Sequence, residues 1–501
     1  MSKKKYLYGA SVQGIQKFIF STNKLKDIVG ASELVENICT VLFEDFRSDG
    51  AEGNVVSAAG NIKYIFSREE DCRRAVLEFP RKVTEYAPGI TISQAVVPLT
   101  GNNFGQDVNL LETKLRAQRN RRMQETQTGL MAVERARNTG APAVEITDGE
   151  FIDEATLKKR ESGPKTTYNL AKKFGFEDIN YSNIAFYTDK LTNKNDWVAV
   201  VHADGNGLGA VVAKKGGDKE AFHKFSSNLD KATQKAAQEA LNMIKKEDYN
   251  NSERREVEPI RPIVLGGDDL TIICSADIAM RFTRHYLENF EKYTKEIVGD
   301  KLTACAGIAY VKSAYPFYYA VDMAEALCSE AKKDSKEDAR KKAHNGEIPA
   351  SLMFHKVQSS FIEDYEEIKQ KELTPCPKSE LTLNEEHTFC FGPYYLHEET
   401  DRWTIDKLRD TASIFENENA NPAKSAMREW AGLMFGNVDK AEQKHTRVCS
   451  IEKEKKDKGP GEAFRECTIE KYKRGKAYAY PAYDVLALLT VENQITKEER
   501  K

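Results

Sequence analysis

Gly266-Gly267-Asp268-Asp269 stands between two apolar runs, Pro262-Ile263-Val264-Leu265 and Leu270-Thr271-Ile272-Ile273-Cys274. Short, partly β-branched runs on either side of a glycine pair predict a strand, a tight turn and a second strand. The turn then carries two adjacent carboxylates. Like charges held together disfavour ionisation unless a cation relieves them. Hard divalent ions take carboxylate oxygens, and Mg²⁺ commonly joins one or two carboxylates to substrate phosphates. The glycines let a bulky ligand approach the backbone. Taken alone, the four residues fit a solvated hairpin turn as well as they fit a metal site.

A second acid lies upstream. Trp197-Val198-Ala199-Val200-Val201-His202-Ala203-Asp204 reads as a buried strand that ends in a carboxylate. Gly205-Asn206-Gly207-Leu208-Gly209 follows as a glycine-rich turn, and Lys219–Lys246 has helical spacing. Backbone N–H groups at such a turn and helix start attract phosphate. If the two strands are neighbours, Asp204, Asp268 and Asp269 meet at one end of a sheet. Two-metal nucleotidyl transfer needs that arrangement: one ion activates a 3′-hydroxyl and the other holds the triphosphate. Asp204 alone also fits an ordinary helix N-cap. Further on, Leu302–Val311 predicts a strand and Tyr318–Lys333 a helix. Lys332 could reach a triphosphate from that helix, or could simply complement its C-terminal dipole.

The remaining composition narrows the class. At 501 residues the chain is long enough for about three or four domains. A net charge of −3 argues against wholesale coating of nucleic acid and leaves room for a local basic groove. No apolar run approaches the ~18 residues that span a bilayer, so no membrane association is expected. The basic start Met1–Lys5 is followed by a stretch broken by Gln13, Gln16 and Lys17, so no signal peptide is expected. Nine cysteines without a CxxC pair suit reduced thiols in a cytoplasm.

The first third echoes the same order of elements. Tyr8–Gln16 aligns with His202–Gly209, with Ser11 at Asp204 and Gly14 at Gly207. Val55–Phe66 aligns with the hairpin, with Asn61 at Asp268 and Ile62 at Asp269. Gly89–Pro98 aligns with Leu302–Val311. The chain therefore reads as two copies of one βαββαβ unit, the first without acids. An acid-free copy facing an acidic one could present the 3′-hydroxyl of a second nucleotide.

These residues resemble the large palm-domain subunit of type III CRISPR effector complexes, the cyclic-oligoadenylate synthase, in the form that lacks an HD nuclease domain. Ser11–Phe20 and Gly30-Ala31-Ser32 resemble its first palm. Ala203–Gly209 and Gly266–Leu270 resemble its second. The resemblance covers most of residues 6–340. It implies an α+β chain: two ferredoxin-like palms, a linker domain and a C-terminal helical domain. The expected divisions are 1–105, 106–195, 196–345 and 346–501. It further implies that ATP is joined through 3′–5′ bonds with release of pyrophosphate, after target RNA pairs with a guide RNA held with other subunits of the complex. Asp204, Asp268 and Asp269 would hold Mg²⁺ or Mn²⁺. The backbone of Gly205–Gly209 would cradle phosphates beside Gly266 and Gly267, and Lys332 would contact the triphosphate. Ser11, Gln13, Gly30, Ala31 and Ser32 would face the acceptor nucleotide.

Three features depart from that family. None of the eight histidines is followed by Asp, so DNase activity is not expected. Cysteine is absent between Cys72 and Cys274, which puts a linker zinc finger near Arg137–Ala143 in doubt. Asn206 stands where many relatives have Asp. In the linker, Lys114, Arg116, Arg119, Arg121 and Arg122 form a basic run read as a solvated helix face. Beyond the second palm, Ser351–Lys371 and Thr404–Val438 are expected to be mainly helical. A non-catalytic RNA-sensing scaffold and a stand-alone cyclase remain as other readings, and the acceptor could be a second ATP or S-adenosylmethionine.

Overall fold

The structure, a computed structural model, describes residues 4–58, 60–100, 104–121, 132–165, 169–176, 184–192, 196–209, 211, 219–250, 257–344, 346–359, 364–375, 386–399, 401–453, 459–468, 472–474 and 477–492. In the first third, strand β1 (Tyr6–Gln13) leads through helices α1 (Ile15–Ile19) and α2 (Leu25–Asn37) to the hairpin β2 (Asn54–Ala58) and β3 (Asn61–Phe66). Helix α3 (Glu69–Tyr86) and strand β4 (Thr91–Pro98) complete the unit. The strand order is β2-β3-β1-β4, which is the ferredoxin-like βαββαβ arrangement. Aromatic contacts fill the space between this sheet and its helices. Phe43 stacks on Tyr8 at 5.8 Å and meets Phe79 edge-on at 5.1 Å.

The second unit repeats the plan. Strand β7 (Trp197–Gly205) is followed by helix α6 (Lys219–Asn250), hairpin β8 (Ile260–Gly266) and β9 (Asp269–Ser275), helix α7 (Ala276–Tyr293) and strand β10 (Ala304–Lys312). Continuous apolar runs form these strands because both sheet faces are covered, and every residue of β9 after Asp269 is buried. Helix α8 (Phe317–Ser335) lies so close to β10 that a Cβ at Gly307 would sit 2.0 Å from the Ala324 carbonyl. Only glycine permits that approach.

Strand pairing corrects the expected alignment of the two units by one residue. The hairpins close on Ala58↔Asn61 and on Gly266↔Asp269. Across to the first strand, Ser11 pairs with Asn61 and Asp204 pairs with Asp269. Asn61 is thus the counterpart of Asp269, and Gly60 that of Asp268. Similar apolar runs hide such a slip in sequence, whereas a one-residue shift in the ladder would turn every side chain to the other face.

Two further segments depart from expectation. Ser351–Lys356 is not helical but forms strand β11, parallel to β10. A buried run of six apolar-rich residues does not distinguish strand from helix by periodicity. After β12 (Glu386–Thr388), strand β13 (Tyr394–Tyr395) pairs with β11, giving the six-stranded order β13-β11-β10-β7-β9-β8. The helices Ile405–Ile414, Asn421–Gly436, Val438–Lys453 and Ala482–Val491 then pack as the C-terminal part.

Between the two palms, helix α4 (Phe104–Arg119), the ribbon β5 (Ala143–Thr147) and β6 (Glu150–Asp153), and helix α5 (Glu154–Lys165) form the linker. Helix α5 packs on α2, where Arg160 pairs with the buried Asp27 at 3.1 Å. Lys159 donates to the Phe18 carbonyl at 2.5 Å and to Ser21 Oγ at 2.8 Å. Burial lowers the Lys159 ammonium to about 8 despite nearby Asp153 and Asp27. One continuous hydrophobic core runs through both palms and into the C-terminal helices.

Candidate active site

Strands β7 and β9 bring the three acids together at one sheet end. Asp204 and Asp269 are direct cross-strand partners, and Asp268 sits in the turn, hydrogen-bonded to Asp204. Gly267 adopts φ +65°, the left-handed conformation this turn requires. Helix α6 clips the same glycine from outside: its N–H donates to Asp230 Oδ1 at 3.2 Å, and Thr233 Oγ1 donates to its carbonyl at 2.6 Å. Gly266 is buried in the ladder opposite Asp269.

Charge in this cluster is poorly compensated. Lys332 on α8 donates to the Asp204 carboxylate and, at 2.9 Å, to the Gly205 carbonyl. Asp268 is raised to about 7 by burial, then by its hydrogen bond to Asp204 and by the charges of Asp204 and Asp269. Asp269 is raised to about 7 by burial and by Asp204, partly offset by Lys332. Its side chain is 44% exposed, yet Oδ1 is sealed from solvent with no hydrogen-bond partner. His202, two residues before Asp204 on the same strand face, lies 3.5 Å from that oxygen and shares a 3.1 Å hydrogen bond with Thr271. Burial lowers the His202 imidazole from its usual value, opposed by the nearby charges of Glu325 and Asp204.

Among the described residues, no three His, Cys, Asp or Glu side chains are already drawn into a metal cage. The donor set nevertheless fits a hard divalent ion. It offers carboxylate oxygens at the end of one sheet, and one of them, Asp269 Oδ1, is buried and unpartnered. Lys332 is the cation that meets the cluster directly, through the Asp204 carboxylate.

The glycine-rich turn is less open than its sequence suggests. Asn206 is buried. Its N–H donates to the Thr303 carbonyl at 2.8 Å, and its amide reaches Thr303 Oγ1 at 3.0 Å and Cys305 Sγ at 3.3 Å. Its backbone N–H and its side-chain amide are therefore both engaged within the fold rather than free for a phosphate. Leu208 packs on the core and anchors the turn, leaving Gly207 and Gly209 exposed.

A cleft of about 450 Å³ separates the two palms. Gln13 and Ser32 line it on the first-palm side, and Asp269 and Thr271 on the second. Ser32 Oγ donates to the Ile263 carbonyl, and Gln16 donates to Glu325 on α8, so both bonds cross between the palms. Burial raises the Glu325 carboxyl. Gly30 and Ala31 do not reach the cleft, because they lie mid-helix in α2, which is buried on nearly every side. Ser11 is also absent from the lining; it donates to Asn61 Oδ1 at 3.0 Å, the position that holds Asp269 in the other palm. His202 and Glu325 went unnoticed in the sequence, although strand period 2 from Asp204 and helical spacing of seven from Lys332 mark both.

Two facing ferredoxin-like units, one bearing a carboxylate cluster at its sheet end, define a tandem palm-domain protein. Residues 197–341 match the family described as Cas10/Cmr2, second palm domain. That match falls on the second of the two units, the one that carries the acids. Among solved structures it is similar to that of a Csm1–Csm4 cassette in complex with cA3, with TM-score 0.57 and 14% identity over 98% of this chain and 69% of that one. It is also similar to the Csm1–Csm4 subcomplex of the type III-A CRISPR-Csm interference complex, with TM-score 0.55 and 15% identity over 98% and 70%. Against a Csm1–Csm4 cassette in complex with cA4, TM-score is 0.47 and identity 18%, and the chain spans 53% of that chain's length. A comparison with curated proteins returned no match. Among the described residues no helix is long and apolar enough to cross a membrane.

Proposed function

We propose that this chain is a metal-dependent nucleotidyltransferase that joins ATP into a cyclic oligoadenylate-type messenger. It would act as the palm subunit of a type III CRISPR effector complex, with target RNA as the trigger. The observation that carries this reading is the gathering of Asp204, Asp268 and Asp269 beside Lys332, with Asp269 lining a cleft against a palm whose matching positions hold Ser11 and Asn61. The fold similarity to Csm1 in Csm1–Csm4 assemblies supports a comparable partner subunit. The proposed divisions are 1–105, 106–195, 196–345 and 346–501, with β11 and β13 completing the palm sheet from beyond 345.

In this reading Asp204, Asp268 and Asp269 hold two Mg²⁺ or Mn²⁺ ions. When bound, these supply Lewis-acid activation of a 3′-hydroxyl and neutralise a triphosphate. Lys332 provides a fixed cation where pyrophosphate charge develops. Thr233 and Asp230 hold the turn that aims the two acids. The Gln16–Glu325 and Ser32–Ile263 bonds fix the distance between the donor and acceptor walls.

Incubation with ATP and Mg²⁺ or Mn²⁺, with and without cognate guide–target RNA and partner subunits, tests it. Pyrophosphate and a linked adenylate seen by mass spectrometry are expected, and Asp268→Ala with Asp269→Ala abolishes both. No linked product in the complete assembly overturns the reading.

A further inference from the structure

Helix α8, which carries Lys332, is held at its last turn by a second cluster of charge, apart from the three acids. Asp334 lies two residues beyond Lys332, about 200° further round the helix. Residues so spaced do not share a face, so Asp334 holds the helix from the side away from Lys332. An acid in the last turn stands at the negative end of the helix dipole, which is unfavourable unless cations meet it. Two guanidiniums do: Arg402 donates to Asp334 Oδ2 at 2.9 Å, and Arg340 Nε lies 2.8 Å from Oδ1. The Tyr395 hydroxyl also donates to Asp334 Oδ1. Burial acts to raise the Asp334 carboxyl, yet Tyr395 and Arg402 hold it below the usual carboxylate range.

The cluster is mostly out of water. The side chains of Arg340, Glu399 and Arg402 are no more than 6% exposed, and that of Asp334 is 13% exposed. Arg340 forks onto Asp401 at 3.0 and 3.3 Å, and Arg402 meets the same carboxylate at 2.8 Å. His344 adjoins Glu399, and the Arg340 guanidinium sits 4.9 Å from the centre of the Tyr395 ring. Tyr395 and Arg402 are themselves fixed from the sheet. Strand β13 pairs with β11, the Tyr395 N–H donates to the Trp403 carbonyl at 3.0 Å, and Trp403 is buried. Forked guanidinium–carboxylate pairs are directional, and in a buried network each member constrains the others.

We propose that Arg402 and Tyr395 are positioning residues for Lys332. Acting through Asp334, they set where the end of α8 lies against β7, and hence where the ammonium stands beside Asp204. A lysine stem is long and flexible, so its ammonium is placed only as well as the backbone beneath it is held. Small misplacements of a binding group are costly to the geometry it serves. Chain beyond the second palm's own repeat thereby tunes how strongly the site holds a triphosphate. This rests on Lys332 contacting the triphosphate in the proposed function.

Binding of a non-hydrolysable ATP analogue with Mn²⁺ to the full chain tests it, with AMP as the control that lacks the outer phosphates. Tyr395→Phe deletes one hydroxyl and keeps the ring under Arg340, whereas Arg402→Ala removes the fork. They should weaken the analogue by about threefold and about tenfold and leave AMP unchanged, and Arg402→Lys should recover part of the loss. In a Lys332→Ala background, itself weaker for the analogue, neither change should weaken it further. A loss of the same size in that background, or an equal loss for AMP, shows a merely structural role and overturns the inference. If Arg402→Ala does not fold, Tyr395→Phe decides by the same comparison. Wild-type analogue affinity in Lys332→Ala means that the proposed triphosphate contact has failed, and this inference with it. If the complete assembly makes linked product while Tyr395→Phe and Arg402→Ala bind the analogue as the wild type does, only this assignment falls.

Discussion

Lys332 Nζ ties helix α8 to the end of strand β7 by meeting both the Asp204 carboxylate and, at 2.9 Å, the Gly205 carbonyl. It is the cation that makes the cluster tolerable in the absence of divalent ions. Lys332→Ala should therefore lower the melting temperature of the divalent-free protein at pH 8. Mn²⁺ should restore much of the loss, because an ion replaces the missing charge. A variant that melts like the wild type in EDTA would show that the bridge carries no charge compensation.

The two raised carboxyls give a signed pH dependence. Asp268 and Asp269 stand at about 7, against about 3.9 in an unfolded chain. Between those values the native state binds more protons, so their contribution is stabilising below ~pH 4 and is lost as pH rises through 7. Asp269→Asn removes the penalty. In EDTA it should melt above the wild type at pH 8, by a smaller margin at pH 5, and by none below about pH 4. The opposite order at pH 8, or a gap independent of pH, counts against the carboxylate repulsion described above.

Asn206 offers a test of how far family patterns transfer. Its amide is buried against Thr303 and Cys305, and Thr303 Oγ1 already donates to the Ile348 carbonyl. Asn206→Asp puts an acceptor where a donor is needed. The expected cost is about 2 kcal/mol or more at pH 8 by chemical denaturation, without tighter Mn²⁺ binding. Tighter Mn²⁺ binding in this variant would mean that the side chain turns toward the acids.

Gly307→Ala should be among the costlier single methyl additions. The new Cβ meets backbone atoms, the Ala324 carbonyl at 2.0 Å and Cys328 N at 2.5 Å, so no side chain can swing aside. Lifting α8 from β10 costs about 3 kcal/mol on the scale of overpacked cores. It also moves Lys332, so nucleotide binding should weaken along with denaturation midpoint. Retained stability would mean that α8 shifts freely.

Much of this was legible because it is local. The Gly-Gly-Asp-Asp turn, the acid ending the Trp197 strand and the helix carrying Lys332 all announce themselves by period and punctuation. What stayed hidden depends on partners far away in sequence. The one-residue slip that pairs Asn61 with Asp269 is decided by hairpin closure, not by residue likeness. Gly30 and Ala31 were expected to face the acceptor but lie inside a buried helix, against which the distant linker helix Glu154–Lys165 packs. Ser351–Lys356 is apolar enough for either helix or strand, and only the free edge of β10 selects strand.

That last strand has a mechanical consequence. Because β11 is hydrogen-bonded to β10 and β10 to β7, the C-terminal region and Asp204 belong to one stiff plate. The helix Ile405–Ile414 is pinned to the same plate, with Asp406 gripping Arg284 of α7 in a paired fork at its closer end. Cross-strand bonds thus join the C-terminal region to the acidic edge, so the sheet that carries Asp204 is built partly from chain well beyond the palm's own repeat.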